Sequence, residues 1–175
     1  MFLEVCMKHV FLTGAVQCGK STVVSRVLAG WAGAVGGFRT GFGPDRACPE
    51  RLLYLWSASE SARYDSDHAV VKFFNGCAPQ PIPGRFDALG TACLTGTPAL
   101  WVMDECGRLE REALAFQRAV LEKLEGDTPV LGVVREGFPG WTKSIATHPN
   151  VELTTATEDN RDPLPELMGA GRRGE

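Results

Sequence analysis

GAVQCGKS, residues 14–21, matches the pattern G-x-x-x-x-G-K-[ST] of a phosphate-binding loop, the Walker A motif. The residues on either side are those that such a loop requires. Residues 8–13 form a short apolar run rich in strand-forming residues. Residues 20–30 have the composition of a helix that ends at a glycine. A strand, a glycine-rich turn and a helix in this order predict an anion-binding βα unit.

The chemistry of the loop follows from its backbone. Successive N–H groups and the positive end of the helix dipole attract phosphate oxygens. Lys20 is expected to reach the β- and γ-phosphates of a nucleoside triphosphate such as ATP or GTP, and the Ser21 hydroxyl to ligate Mg²⁺. We therefore predict that the nucleotide is bound by Gly14, Ala15, Val16, Gln17, Cys18, Gly19, Lys20, Ser21 and Thr22.

The rest of the sequence alternates between strand and helix patterns. Strands are predicted for the apolar runs at 34–40, 52–56, 68–74, 99–103, 130–134 and 151–155, and helices at 85–94 and 109–124. Three prolines within 78–84 argue against a regular element there. Together with the phosphate-binding loop, this alternation predicts an α/β fold of the P-loop NTPase type, a three-layer sandwich. Its sheet is mostly parallel, with helices on both faces and an antiparallel ribbon insertion.

Length and composition limit the organisation and the partners of the chain. We expect one domain over residues 1–168, with 41–98 as a divergent insertion region and 169–175 as a flexible tail. A net charge of −3 gives no electrostatic footprint for nucleic acid or an anionic membrane. No signal peptide and no membrane-spanning run is evident, and the six cysteines form no C-x-x-C or zinc pattern. A cytoplasmic protein is therefore expected.

Asp104 and Glu105 follow the apolar strand pattern at 99–103 directly, which is the arrangement of a Walker B motif. Asp104 is predicted to hold Mg²⁺ together with Ser21, largely through the water shell of the ion. Glu105 is placed to orient or deprotonate a water that attacks the γ-phosphate. The alternative role for Glu105 is a structural salt bridge or a helix cap.

Further charged residues lie near predicted strand ends. Arg108 and Arg135 are candidates to stabilise charge on the γ-phosphate during transfer, the alternative being ordinary surface arginines. Asn160 and Arg161 are candidates to contact the base or ribose, the alternative being a polar loop before Pro163.

Together these motifs resemble those of the small P-loop nucleoside-triphosphatases, the group that includes the cancer-related nucleoside-triphosphatase. The resemblance covers residues 8 to about 167 and includes, besides the loop, GFRT at 37–40, DECGRLE at 104–110, LGVVR at 131–135 and NRD at 160–162. Gln17 and Cys18 depart from the glycine and valine that are usual in the loops of this family, and region 41–98 matches poorly.

This resemblance implies Mg²⁺-dependent hydrolysis of nucleoside triphosphates to diphosphates, with broad base selectivity and slow turnover. Two alternatives remain open. One is a small-molecule kinase on the same fold, although no arginine-rich lid is evident. The other is a nucleotide-dependent switch or assembly factor, for which region 41–98 would bind a protein partner.

Overall fold

The computed structural model describes residues 9–160 except 17, 136, 138 and 139. Its centre is an eight-stranded sheet in the order β5-β4-β3-β2-β6-β7-β1-β8. The strands are β1 His9–Thr13, β2 Val35–Phe42, β3 Arg51–Ser57, β4 Ala69–Phe73, β5 Gln80–Pro81, β6 Leu100–Cys106, β7 Val130–Val134 and β8 Val151–Thr155. The pairs from β2 through β6, β7 and β1 to β8 are parallel. Strands β3, β4 and β5 continue the sheet in antiparallel pairs, which confirms the predicted ribbon.

Helices cover both faces of the sheet, as predicted. The first helix, α1 Lys20–Ala29, packs Val23, Val24 and Val27 against one face, beside Leu100 and Val102. Trp101 and Met103, the alternate residues of β6, face the other layer and join a larger core. That core is completed by helical residues, among them Phe86, Phe116, Val120, Leu124 and Ile145.

The second layer contains a π-helical turn and three α-helices. A π-helical turn, Phe86–Gly90, runs into the short α2 Thr91–Cys93, which confirms the helix predicted at 85–94. The main helix of this layer is α3 Leu114–Leu124, and α4 Thr142–Ala146, which the sequence pattern did not predict, lies before β8.

Two local predictions were wrong. The helix predicted from residue 109 begins at Leu114, because residues 107–112 form turns in which Glu110 bonds to the backbone of Gly107. The segment 78–84 does contain a short strand, β5, since Gln80 and Pro81 lie opposite Lys72 and Val71 at the edge of the sheet. Proline is tolerated at a sheet edge, where a missing N–H donor breaks no central ladder.

Gly37 allows β2 to lie against β6. Its φ is +99°, and a Cβ atom built there would lie 1.9 Å from the carbonyl oxygen of Val102. Only glycine combines that backbone conformation with this close approach. The contact fixes a register in which Arg39 lies opposite Asp104, the last pair between these two strands.

The described part of the chain contains no helix that is long and apolar enough to cross a membrane.

The strands that enter the functional site, β1, β7, β6 and β2, are consecutive neighbours in the centre of the sheet. In parallel sheets, ligands bind beyond the carboxyl ends of the strands. The residues after these four strands are therefore the ones that define the candidate site.

Candidate functional site

The glycine-rich loop connects β1 to α1 and is held by glycines at both ends. Gly14 has φ +136°, and a Cβ there would lie 2.4 Å from the carbonyl oxygen of Ala156. Gly19 has φ +95° and serves as the N-cap of α1 without any side-chain hydrogen bond. The first-turn N–H groups of α1 are thus left for a ligand, which is the arrangement that binds phosphate.

Lys20 lies at the start of α1, with its side chain folded back over the loop. Its Nζ donates to the backbone oxygens of Gly14 at 2.9 Å and Ala15 at 2.7 Å. It also lies 3.7 Å from Sγ of Cys18, which is 5% exposed and packs in the core beneath the loop. Carbonyl and thiol groups carry no full charge, so the ammonium group retains its attraction for an anionic ligand.

Asp104 lies at the end of β6, opposite the loop, and its two carboxylate oxygens have different partners. Oδ1 lies 3.5 Å from Oγ of Ser21. Oδ2 accepts from Nη2 and Nε of Arg39, at 3.2 and 3.3 Å. Burial raises the pKa of Asp104 to about 6, and the Arg39 guanidinium opposes that rise by favouring the charged form. Arg39 is therefore a positioning residue, which fixes one oxygen and leaves the other directed at Ser21.

The oxygens of Ser21 and Asp104 fit Mg²⁺. A hydroxyl and a carboxylate are the hard donors that this ion prefers, and it keeps several waters and phosphate oxygens besides. Among the described residues, no group of three or more His, Cys, Asp and Glu forms a metal cage. The donor set therefore suits an ion that arrives with phosphate rather than one bound by protein alone.

Glu105 follows Asp104 and pairs with Arg135, the residue after β7. Nη2 of Arg135 lies 3.2 Å from Oε1 of Glu105, and both side chains are partly exposed. The alternative considered for Glu105, a salt bridge, is thus present. A partly exposed ion pair is weak, so it orients the carboxylate without removing it from contact with solvent.

The loop after β6 is held from two sides. The backbone N–H of Gly107 donates to the buried carboxyl group of Glu110. The carbonyl oxygen of Gly107 accepts from Nε1 of Trp141 at 2.9 Å, and Trp141 directly precedes α4. These bonds place Arg108, which is exposed, over the same end of the sheet.

The predicted residues meet in one cavity of about 680 Å³. Residues of the loop and of α1 line one side of it, and the strand-end residues line another. From the predicted set they are Val16, Gly19, Lys20, Ser21, Thr22, Asp104, Glu105, Arg108 and Arg135.

Other predicted residues that the structure describes do not line this cavity. Asn160 uses its side chain within its own turn, accepting from the N–H of Thr157 and donating to the carbonyl oxygen of Thr155. Gly14, Ala15 and Cys18 belong to the loop but are not among the residues that line the cavity. Gln17, Arg161 and the predicted tail lie outside the described residues.

The structure also adds residues that sequence reasoning missed. Arg39 contacts Asp104, and Oγ1 of Thr40 donates to the backbone oxygen of Asp104 at 3.2 Å. Phe42 and Arg51 line the cavity from β2 and β3. Arg39 and Thr40 belong to the GFRT segment already noted in the sequence, but their role depends on β2 lying beside β6.

A comparison with protein families decides the relationship. A family model described as NTPase matches residues 9–168. The chain belongs to the NTPase family. The predicted family is thereby confirmed, and nucleoside-triphosphate hydrolysis is the class of reaction to which this enzyme belongs.

Two relatives of this NTPase carry the name nucleoside-triphosphatase THEP1. The protein from Thermofilum pendens is 41% identical over 66 residues, which cover 37% of this chain and 36% of that protein. The protein from Natranaerobius thermophilus is 23% identical over 168 residues, which cover 91% of this chain and 93% of that protein. The shared segment therefore extends over nearly the whole chain in the second case and about a third of it in the first.

Two solved structures share the fold of this NTPase. The crystal structure of THEP1 from the hyperthermophile Aquifex aeolicus superposes with a TM-score of 0.75 at 16% identity, covering 94% of this chain and 99% of that one. The solution structure of a human cancer-related nucleoside triphosphatase gives a TM-score of 0.67 at 21% identity, covering 96% and 99%. Both confirm the predicted α/β P-loop fold.

Proposed function

We propose that this enzyme hydrolyses nucleoside 5′-triphosphates to diphosphates and inorganic phosphate in a Mg²⁺-dependent reaction. The observation that carries the proposal is the meeting of Lys20, Ser21, Asp104 and Glu105 at one cavity, with Oγ of Ser21 3.5 Å from Oδ1 of Asp104. A phosphate-binding loop, a pair of metal donors and a carboxylate base are the parts that phosphoryl transfer to water requires.

In this proposal the loop binds the triphosphate. The N–H groups at the start of α1 would receive the phosphate oxygens, and Lys20 would exchange its bonds to Gly14 and Ala15 for bonds to the β- and γ-phosphates. Ser21 and Asp104 would hold Mg²⁺, which supplies charge neutralisation on the phosphate oxygens when bound.

Glu105 would accept a proton from the attacking water, and Arg135 would hold the Glu105 carboxylate in place through the ion pair between them. Arg108 and Arg135 also line the cavity, where their charge would stabilise the γ-phosphate oxygens. Broad base selectivity, slow turnover and a cytoplasmic location are further parts of the same proposal. Contact of Asn160 and Arg161 with the base or ribose remains a proposal of the same kind.

The test is phosphate release from ATP, GTP, CTP and UTP, measured with and without Mg²⁺. We expect Lys20→Ala to lose triphosphate binding, because the loop then lacks the only charge it contributes. Glu105→Gln should bind triphosphate normally and release phosphate about 10²–10⁴-fold more slowly, since a general base is removed.

The matched control is Arg118→Gln, which changes an exposed arginine of α3 outside the cavity and should release phosphate as the wild type does. Full hydrolysis by Glu105→Gln would remove Glu105 from the mechanism. Equal hydrolysis without Mg²⁺ would contradict the role of Ser21 and Asp104.

A further inference from the structure

The cavity is lined from β2, β3 and β4 as well as from the phosphate-binding loop. Along the carboxyl edge of the sheet, the loop follows β1, Arg135 follows β7, Asp104 and Glu105 lie in β6 directly before its last residue, Cys106, and Phe42 ends β2. The cavity then continues over β3 and β4, to Arg51 and Phe73. Residues on the side of Glu105 away from the loop therefore line a part of the cavity that an attacking water, of about 30 Å³, does not account for.

The far wall of the cavity is apolar, with a cation set into it. Phe42, Leu53, Phe73, Pro79 and Phe86 supply apolar surface. The guanidinium carbon of Arg51 lies 5.0 Å from the ring centre of Phe42 and 5.1 Å from that of Phe73.

Arg51 keeps its charge available in this position. Its Nη1 donates a hydrogen bond to the carbonyl oxygen of Cys48 at 3.3 Å, and no carboxylate pairs with it in the part of the chain that the structure describes. Arg46 is exposed and lines the same cavity. Two arginines beside an apolar wall favour an organic anion, whose charge they would bind while its body covers the rings.

We propose that this wall is the subsite of a phosphoryl acceptor, an organic acid or phosphate ester that also carries a hydroxyl group. The charged end would bind Arg51 and Arg46, the body would lie on Phe42 and Phe73, and the hydroxyl would point to Glu105. An alcohol suits Glu105 because a carboxylate base must have a proton to accept, whereas an anionic oxygen there would be repelled. The inference rests on the nucleotide site of the proposed function, which supplies the phosphoryl donor.

The reaction balances without any further reactant. The acceptor hydroxyl gives its proton to Glu105, and its oxygen forms a bond to the γ-phosphorus. The bond from that phosphorus to the β–γ bridging oxygen breaks, and its electron pair leaves with the nucleoside diphosphate. The products are a phosphate monoester and a diphosphate. Water in the acceptor position yields hydrolysis instead.

The experiment incubates the full chain and Mg²⁺ with [γ-³²P]ATP, with or without an acceptor fraction. That fraction contains the small molecules of a deproteinised cell extract that an anion-exchange resin retains. The readout is the ratio of labelled organic phosphate to labelled inorganic phosphate. We expect the wild type and Arg118→Gln to form a labelled ester, and Arg51→Met to lower the ratio about tenfold, because a charge-assisted contact is lost.

Arg46→Gln tests the same subsite in a second way, in case the Arg51 variant misfolds. The Arg46 side chain is exposed, so its replacement should leave the fold intact. It should lower the ratio in the same direction. Label found only in inorganic phosphate, an ester formed by both arginine variants at the wild-type level, or an ester formed from the unretained neutral fraction would overturn the inference. Phosphate release in the absence of extract reports the proposed hydrolysis separately, so either conclusion can fail while the other stands.

Discussion

At the scale of single residues, the site depends on carboxyl groups that the fold buries. Glu110 is 3% exposed and accepts from the N–H of Gly107. Burial raises its pKa to about 7, with Glu105 adding to the rise and Arg135 and the Gly107 bond opposing it. The neighbouring thiol of Cys106 is fully buried and its pKa is raised for the same reason. The folded chain therefore binds a proton at Glu110 that the unfolded chain releases at lower pH.

The pH dependence of stability follows from this difference. Because the folded pKa lies above the unfolded value of about 4.5, the stabilising contribution of Glu110 is complete below that value. This contribution, about 3 kcal/mol of the free energy of unfolding, is lost as the pH rises from about 4.5 towards 7. We expect Glu110→Gln to remove this loss, because an amide does not titrate and its oxygen can still accept from Gly107.

The measurement is urea unfolding of the wild type and Glu110→Gln between about pH 5 and pH 8. The free energy of unfolding of the variant, relative to that of the wild type, should rise with pH, while groups common to both cancel. If the free energies of unfolding of the two proteins change in parallel with pH, Glu110 does not bind a proton more tightly in the folded protein than in the unfolded one.

At the scale of elements, β2 contributes to the proposed metal site through its pairing with β6. Arg39 stands opposite Asp104 in that pairing, and its side chain is 21% exposed against 2% for Asp104. Its Nη2 also donates to the backbone oxygen of Ser21 and to Oγ of Ser25, at 3.4 and 3.0 Å. One guanidinium thus joins the start of α1 to the end of β6.

We expect Arg39→Met to lower the free energy of unfolding by about 2 kcal/mol in metal-free buffer. Removing one partner of a buried pair costs more than this, and the partial exposure of Arg39 reduces the cost. Arg39→Lys should lower the free energy of unfolding less, because lysine keeps the positive charge. It loses only the second hydrogen-bond donor that the guanidinium directs at Asp104. Chemical denaturation of the wild type, Arg39→Met and Arg39→Lys measures the order of their stabilities. Unchanged stability in Arg39→Met would mean that Asp104 does not depend on this pair.

These elements also show which parts of the site can be predicted from the sequence and which cannot. The loop and Asp104 with Glu105 are predictable because each is a local pattern attached to its own strand. Arg39 and Arg51 are not, because their roles depend on β2 lying beside β6 and β3 beside β2. The helical spacing predicts a start of α3 at residue 109, five residues before the observed start at Leu114, for a similar reason. Leu109 keeps the helical spacing and packs against the core, yet its backbone is held in a turn by Glu110 and Gly107.

At the scale of the whole molecule, the site joins segments that are distant in the chain. Lys20 and Ser21 come from the first βα unit, Asp104 and Glu105 from the middle of the chain, and Arg135 from beyond α3. A triphosphate that contacts all of them binds the folded state alone, so its binding energy adds to the stability of the entire sheet.

The expected consequence is a rise in melting temperature with Mg²⁺ and a non-hydrolysable ATP analogue. At about one hundred times the dissociation constant, the gain is about 2.7 kcal/mol, or about 5–10 °C for a domain of this size. Lys20→Ala should lose most of this rise, whereas Arg118→Gln should keep it. Hydrogen exchange should show coincident protection at 14–19 and 104–110. Protection confined to 14–19 would mean that the analogue binds the loop without reaching β6, and the site would then not act as one unit.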